Sequence, residues 1–189
     1  MDVTKMRRLG LAAGIAALSL LSQLHAQSWT LTDASSVSFD IKTVGLSVVK
    51  GVSNQPQSRL YFDIHMPQNA SVVVTLVAST LRFSNPALTP MILGEDFFNS
   101  AQYKTVTFRS TEFVPQDQDR FKVEGDLTLR GITKPVTFDV VLKPNTLNLR
   151  LLDVYAVGYI NRSDFGMKKS YGGVGEKVSI QLTGQWQIK

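Results

Sequence analysis

Apolar and polar residues alternate with a period of two through most of this chain, and that pattern admits few folds. Val37, Phe39 and Ile41 alternate with Ser36, Ser38, Asp40 and Lys42. Val72, Val74 and Leu76 form a looser run, and Val106 and Phe108 are flanked by Thr105, Thr107 and Arg109. Phe121, Val123, Leu127 and Leu129 interleave with Lys122, Glu124, Asp126 and Arg130. Val136, Phe138, Val140 and Leu142 extend the pattern, as do Leu147, Leu149 and Leu151. Val178, Ile180 and Leu182 close it, with Trp186 and Ile188 behind. Period two sends successive side chains to opposite faces, so each run reads as a strand with one face buried. Turn-forming stretches separate the runs: Ser53-Asn54-Gln55-Pro56, Pro67-Gln68-Asn69, Pro115-Gln116-Asp117 and Lys143-Pro144-Asn145. Evenly spaced strands with short turns leave an antiparallel sandwich or barrel.

One segment departs from the period. Between Pro86 and Phe98, the residues Leu88, Met91, Ile92, Glu95 and Phe98 fall near helical spacing. Pro86 suits a first helical turn, and Gly94 ends or kinks the helix. One short helical insertion over 86–98 is therefore expected, able to cap one end of a barrel. The chain is expected to be all-β, with about eight to nine strands and that insertion, and an eight-stranded antiparallel barrel is one closure they allow. Eight strands enclose either a side-chain-filled core or room for one small apolar ligand. Alternation does not separate the two.

The first 26 residues read as a targeting segment. Lys5, Arg7 and Arg8 precede an uncharged run from Leu9 to Leu24, and Ala26 is a small residue at a plausible cut. That is the pattern of a signal peptide. Ser19, Ser22 and Gln23 interrupt the run, which falls short of the ~20 apolar residues of a membrane span. Residues 27–189 are then a single domain, expected to be periplasmic, soluble and without stable membrane insertion. The absence of cysteine means that an exported domain holds together on its core alone. Three of the 20 basic residues and one of the 15 acidic ones lie in the leader, and the rest are interleaved in sign. No block of charge reads as a nucleic-acid tract.

Only two histidines are present, and His25 lies in the leader. His65, at the end of Tyr61-Phe62-Asp63-Ile64-His65-Met66, is alone. A zinc or copper site, a Ser-His-Asp triad and a Cys nucleophile all need more than that. Asp33, Asp63, Asp117, Asp119 and Asp153 lie beside turn-like segments, where Asp serves the backbone. Gly172-Gly173-Val174-Gly175 runs into a strand pattern, where a phosphate loop would need a helix. No catalytic or metal-binding constellation and no cofactor motif is found, and the chain is not expected to be an enzyme.

Four stretches together resemble the YceI-like family of periplasmic polyisoprenoid-binding proteins. They are Trp29-Thr30-Leu31-Thr32-Asp33 with Ser36-Val37-Ser38-Phe39; Leu93 to Ser100 with Tyr103 and Val106 to Ser110; Gly125 to Val136; and Ile160 to Met167. Departures concentrate near the N-terminus. Ser35 and Thr43 stand where the family often has His, Gly51-Val52-Ser53 replaces a Gly-x-Phe, and Lys104 replaces a Pro. The resemblance implies an extended, lipocalin-like barrel whose tunnel holds a long isoprenoid chain of the quinone or polyprenyl phosphate type. It implies no catalytic activity, and homodimers in some members.

A tail of that kind needs a dry tunnel, since burial contributes about 0.8 kcal/mol per methylene. The expected lining is Val37, Phe39, Val72, Val74, Leu76, Phe108, Phe138, Val140, Val178 and Ile180. The alternative is that these side chains pack one another, leaving a filled barrel that serves as a structural or interaction module. Arg162 and Asp164 are head-group candidates, because Arg matches phosphate and carbonyl oxygens. The alternative, favoured because Ser163 and Asp164 are good turn formers, is an internal ion pair shaping the turn that Gly166 permits. Lys134, Lys168 and Lys169 would attract an anionic head group or form a solvated edge.

Overall fold

A computed structural model of the chain describes residues 27–43, 46–169 and 174–189. The expected signal peptide, together with Gly172 and Gly173, lies outside the described residues. Among the described residues eleven strands form one antiparallel sheet: β1 (Gln27–Leu31), β2 (Ser36–Thr43), β3 (Leu46–Ser53), β4 (Gln57–Phe62), β5 (Ser71–Val77), β6 (Arg82–Phe83), β7 (Thr105–Pro115), β8 (Arg120–Leu129), β9 (Ile132–Pro144), β10 (Leu151–Asn161) and β11 (Lys177–Ile188). β1, β4, β5 and β7 to β11 close a ring of eight, completed where β1 pairs with β11.

The other three strands continue strands of the ring. β11 pairs with β2 over Val178–Thr183 and with β1 over Trp186–Ile188, so β1 and β2 are two halves of one bent strand. β3 and β4 pair with those halves in turn, and β5 and β6 repeat the arrangement. The barrel therefore consists of eight long strands, three of them broken. Ser53-Asn54-Gln55-Pro56, read as a turn, marks such a break: β3 and β4 on either side run in the same direction. At Ser35 a side chain repairs the ladder. Its Oγ accepts from the Gln185 N–H (3.0 Å) and donates to the Gln185 carbonyl (3.1 Å). Gly184 opposite leaves the space that Ser35 fills.

At one end every strand finds a partner. At the other no ladder joins β6 to β7, and residues 84–104 span the gap. The expected helix over 86–98 is shorter than its periodicity suggests. A 3-10 turn at Pro86–Leu88 leads into α1 (Thr89–Leu93), and extended backbone at Gly94 ends it. Ile92 and Phe97 are buried under this cap.

Leu147 and Leu149 correct the alternation reading. They sit almost fully exposed in the β9–β10 turn, and only Leu151 begins a strand. Asn145 Oδ1 accepts from the N–H groups of Leu147 and Asn148, and Asn148 Oδ1 from that of Arg150. These local side-chain turns override a two-residue period.

The core divides along the barrel axis. At the closed end Trp29, Phe62, Phe113, Phe121 and Trp186 pack with aliphatic neighbours into a filled plug. Phe121 meets Phe62 and Phe113 edge-to-face, with centroids 6.0 and 6.4 Å apart. The capped end carries a second cluster, and Phe108, Val140 and Leu182 touch both.

Candidate functional site

The second cluster surrounds a cavity of about 150 Å³. Its walls come from the inward positions of β2, β3, β5, β7, β8, β9, β10 and β11, and its roof from Ile92, Phe97 and Phe98 of the cap and Met167 of the β10–β11 loop. Phe39, Val74, Leu76, Phe108, Val140 and Ile180 point inward and border this empty space, and they are only half-buried. An empty apolar cavity of this size stays dry and accepts apolar molecules.

Nine of the ten residues expected to line a tunnel, Val37, Phe39, Val74, Leu76, Phe108, Phe138, Val140, Val178 and Ile180, surround this cavity. Val72 does not. It lies in the filled plug, because its position on β5 falls below the level where the interior opens. The expected lining leaves out the roof, although the insertion carrying Ile92 and Phe98 is expected to cap one end, and leaves out several wall positions, Leu81, Leu127, Ala156 and Leu182 among them.

Among the described residues Arg162 is the one charged member of the lining, and it is 4% exposed. Its Nε donates to the carbonyl of Gly175 (3.0 Å). Nη1 donates to the carbonyls of Met167 and Lys169, and Nη2 donates to that of Val174 (3.5 Å) and lies 3.8 Å from Glu176 Oε2. The guanidinium thus clamps both sides of the β10–β11 loop. It is not paired with Asp164, which is exposed on the outer wall beside Lys134 and Lys177. Gly166, at φ 78°, ends the 3-10 turn Arg162–Phe165 that carries both residues. Hydrogen bonding from Ser163, by its side chain first and then by its N–H (2.8 Å), holds the Glu176 carboxyl below its ordinary value, with Arg162 adding to the effect.

The cap is tied by two further basic residues. Arg130 projects from the two-residue β8–β9 turn, where Arg130 and Gly131 both have positive φ (53° and 70°), and its Nη1 donates to the carbonyls of Glu95 (2.8 Å) and Phe97. That paired positive φ suits the twist of a tight hairpin. Lys169 Nζ meets Asp96 Oδ2 at 2.8 Å, joining the loop to the cap. Lys134 and Lys168 are exposed.

His65 is exposed in the β4–β5 turn, where its N–H donates to Asp63 Oδ1 (2.8 Å). Among the described residues no three or more His, Cys, Asp or Glu gather as a metal site, and no helix is long and apolar enough to cross a membrane.

Comparison with known proteins agrees with this architecture. A model of the YceI-like domain matches residues 29–186. The protein YceI of Escherichia coli O157:H7 is 30% identical over 150 residues, covering 78% of each chain. Among solved structures, Burkholderia cenocepacia BcnA superposes with a TM-score of 0.75 at 22% identity, over 82% of this chain and 98% of its own. A polyisoprenoid-binding domain from Saccharophagus degradans, implicated in plant cell wall breakdown, has a TM-score of 0.68 at 10% identity, over 87% of this chain and all of its own.

Proposed function

This chain belongs to the YceI-like domain family, and from that membership and the half-hollow barrel we propose that it is a lipid-binding protein of the periplasm. It holds an isoprenoid chain, of the quinone or polyprenyl phosphate type, without altering it. The observation that carries this reading is the lining. Apart from Arg162 the cavity wall is built of apolar side chains, and the donors of Arg162 are occupied by backbone carbonyls and Glu176. Such a surface offers a ligand burial and nothing to react with. The similarity to a polyisoprenoid-binding domain supports the class of ligand.

The size of the cavity limits how the chain is held. Along β8 the wall runs from Val123 to Leu129, about 20 Å at ~3.3 Å per residue. A volume near 150 Å³ suits one small apolar group. A long isoprenoid is therefore enclosed over part of its length, or the lining rings rotate to admit more. Its head group stays towards the capped end, since the plug closes the other.

Thermal unfolding with a short-chain ubiquinone and with farnesol tests the proposal. A ligand at a hundred times its Kd adds about 2.7 kcal/mol. For a domain of this size that raises Tm by about 5–10 °C. No shift with either compound, at concentrations up to their solubility, overturns it.

A further inference from the structure

Two glycines stand at inward positions of the barrel wall, where alternation calls for a large side chain. Gly51 on β3 pairs directly with Phe39 on β2, and Gly158 on β10 pairs directly with Phe138 on β9. Each phenyl ring packs against its glycine. A Cβ added at Gly51 would overlap the Phe39 ring, and one added at Gly158 would come within 2.7 Å of Cδ1 of Phe138, against 3.4 Å for ordinary contact. In both cases the three nearest atoms all belong to that one ring. Neither glycine has a positive φ, so the backbone would accept alanine at both places. What the missing Cβ provides is room for the ring.

Both rings also line the cavity. Each has a bare stretch of wall on one side and borders the cavity on the other, with Phe83 and Phe98 beside Phe39 and Phe108 beside Phe138. A methyl group added to the wall would push the ring away from it, towards the lumen that the ring borders. A third ring, Phe108, lies against Gly125 and meets Phe138 edge-to-face at 4.9 Å. There an added Cβ would also strike the backbone carbonyl of Arg109, so Gly125 serves the bulge in β7 as well.

We propose that Gly51 and Gly158 are specificity-determining residues, which set the bore of the cavity by letting Phe39 and Phe138 lie close against the wall. The bore in turn sets how long or how branched an apolar chain can enter, a conclusion that rests on the cavity being a lipid site. The glycines touch no ligand themselves. They act through the rings, and Phe39 and Phe138 are the groups in contact with the chain.

The test compares wild type with Gly51→Ala and Gly158→Ala, each first shown to be folded by circular dichroism and thermal unfolding. Displacement of the neutral fluorophore N-phenyl-1-naphthylamine by geraniol, farnesol, geranylgeraniol and solanesol gives a profile of affinity against chain length. The expected result is at least a tenfold loss for the longer alcohols relative to geraniol in both variants. Adding Phe138→Leu to Gly158→Ala should restore the wild-type profile, since it shortens the displaced ring. An unchanged profile in folded variants overturns the proposal, and so does a loss that the Leu substitution fails to rescue. Xenon uptake in crystals of wild type and Gly158→Ala reads the bore without any lipid. If wild type takes neither fluorophore nor alcohols, the lipid-binding reading fails. Reduced xenon occupancy in the variant would then still support the bore-setting role, and equal occupancy would refute it.

Discussion

Filling the cavity should stabilise the protein while abolishing its binding, and Ala156→Leu is the substitution that separates a hollow barrel from a packed one. Ala156 lies on β10 between Val140 and Leu182, both half-buried, and its side chain borders the cavity. At about 24 cal/mol per Å³, an empty volume of 150 Å³ represents roughly 3–4 kcal/mol of packing that the fold lacks. Leucine adds three carbons that enter this space. Their transfer from water contributes about 2.4 kcal/mol at ~0.8 kcal/mol per methylene. Fixing the new rotamer costs about 0.5–1 kcal/mol. The expected net gain is about 1.5–2 kcal/mol, measured as a higher urea midpoint at constant m value, with Tm up by about 3–8 °C. Binding of the neutral fluorophore should fall in the same variant. As the counterpart, Phe121→Ala in the filled plug should cost about 3–5 kcal/mol, because Phe121 is 4% exposed and wedged between two rings. Extra carbons in an already packed interior cost about 1–3 kcal/mol. A destabilised Ala156→Leu protein would therefore refute the reasoning, since the sign of the change reports whether space was there.

Three further outcomes rest on the same contacts. Ser35→Ala removes both hydrogen bonds to Gln185 at the break between β1 and β2, and should lower stability by about 2 kcal/mol in urea unfolding; a change below about 0.5 kcal/mol would mean that the backbone closes the break unaided. Arg162→Met should speed amide exchange in the described residues 167–169 and 174–176 while the cavity still binds its probe; lost binding with unchanged exchange would return Arg162 to the head-group role. Hydrogen bonds from Asn145 and then Gln185 hold the Asp153 carboxyl below its ordinary value of 3.8. Its contribution is fully present above that value and is lost as pH falls through the lower folded one. Asp153→Asn should flatten the fall of Tm with acidification below about pH 4, and an unchanged slope would show that Asp153 is not responsible.

The all-β architecture was legible because period-two alternation is a direct consequence of burying one face of a sheet. Val37, Phe39, Phe138, Val140, Val178 and Ile180 all point inward as their spacing requires. The failures have local causes. Leu147 and Leu149 alternate, but Asn145 and Asn148 fold their backbone into turns that need no strand partner. Turn formers at 53–56 mark a bend within a long strand, which composition does not distinguish from a reversal of the chain. Whether the barrel was hollow could not be read from alternation, because it depends on which inward positions hold aromatics and which hold glycine. Gly51 and Gly158 are the places where rings come close against the wall. Arg162 is a head-group candidate in the sequence because Arg matches phosphate and carbonyl oxygens. Its partners, from Met167 to Glu176, come together only when the β10–β11 loop folds over it.

Native mass spectrometry of the full-length protein, exported in a bacterial host, gently purified and then extracted with organic solvent, tests the central claim most directly. The account predicts an isoprenoid bound at close to one per chain, lost on extraction and regained when ubiquinone is added back. The same spectrum gives the mass of the exported chain, expected to begin at Gln27, and the proportion of paired copies. Protein that emerges free of lipid and takes up no added ubiquinone would contradict the account, leaving the family fold in place with its cavity unassigned.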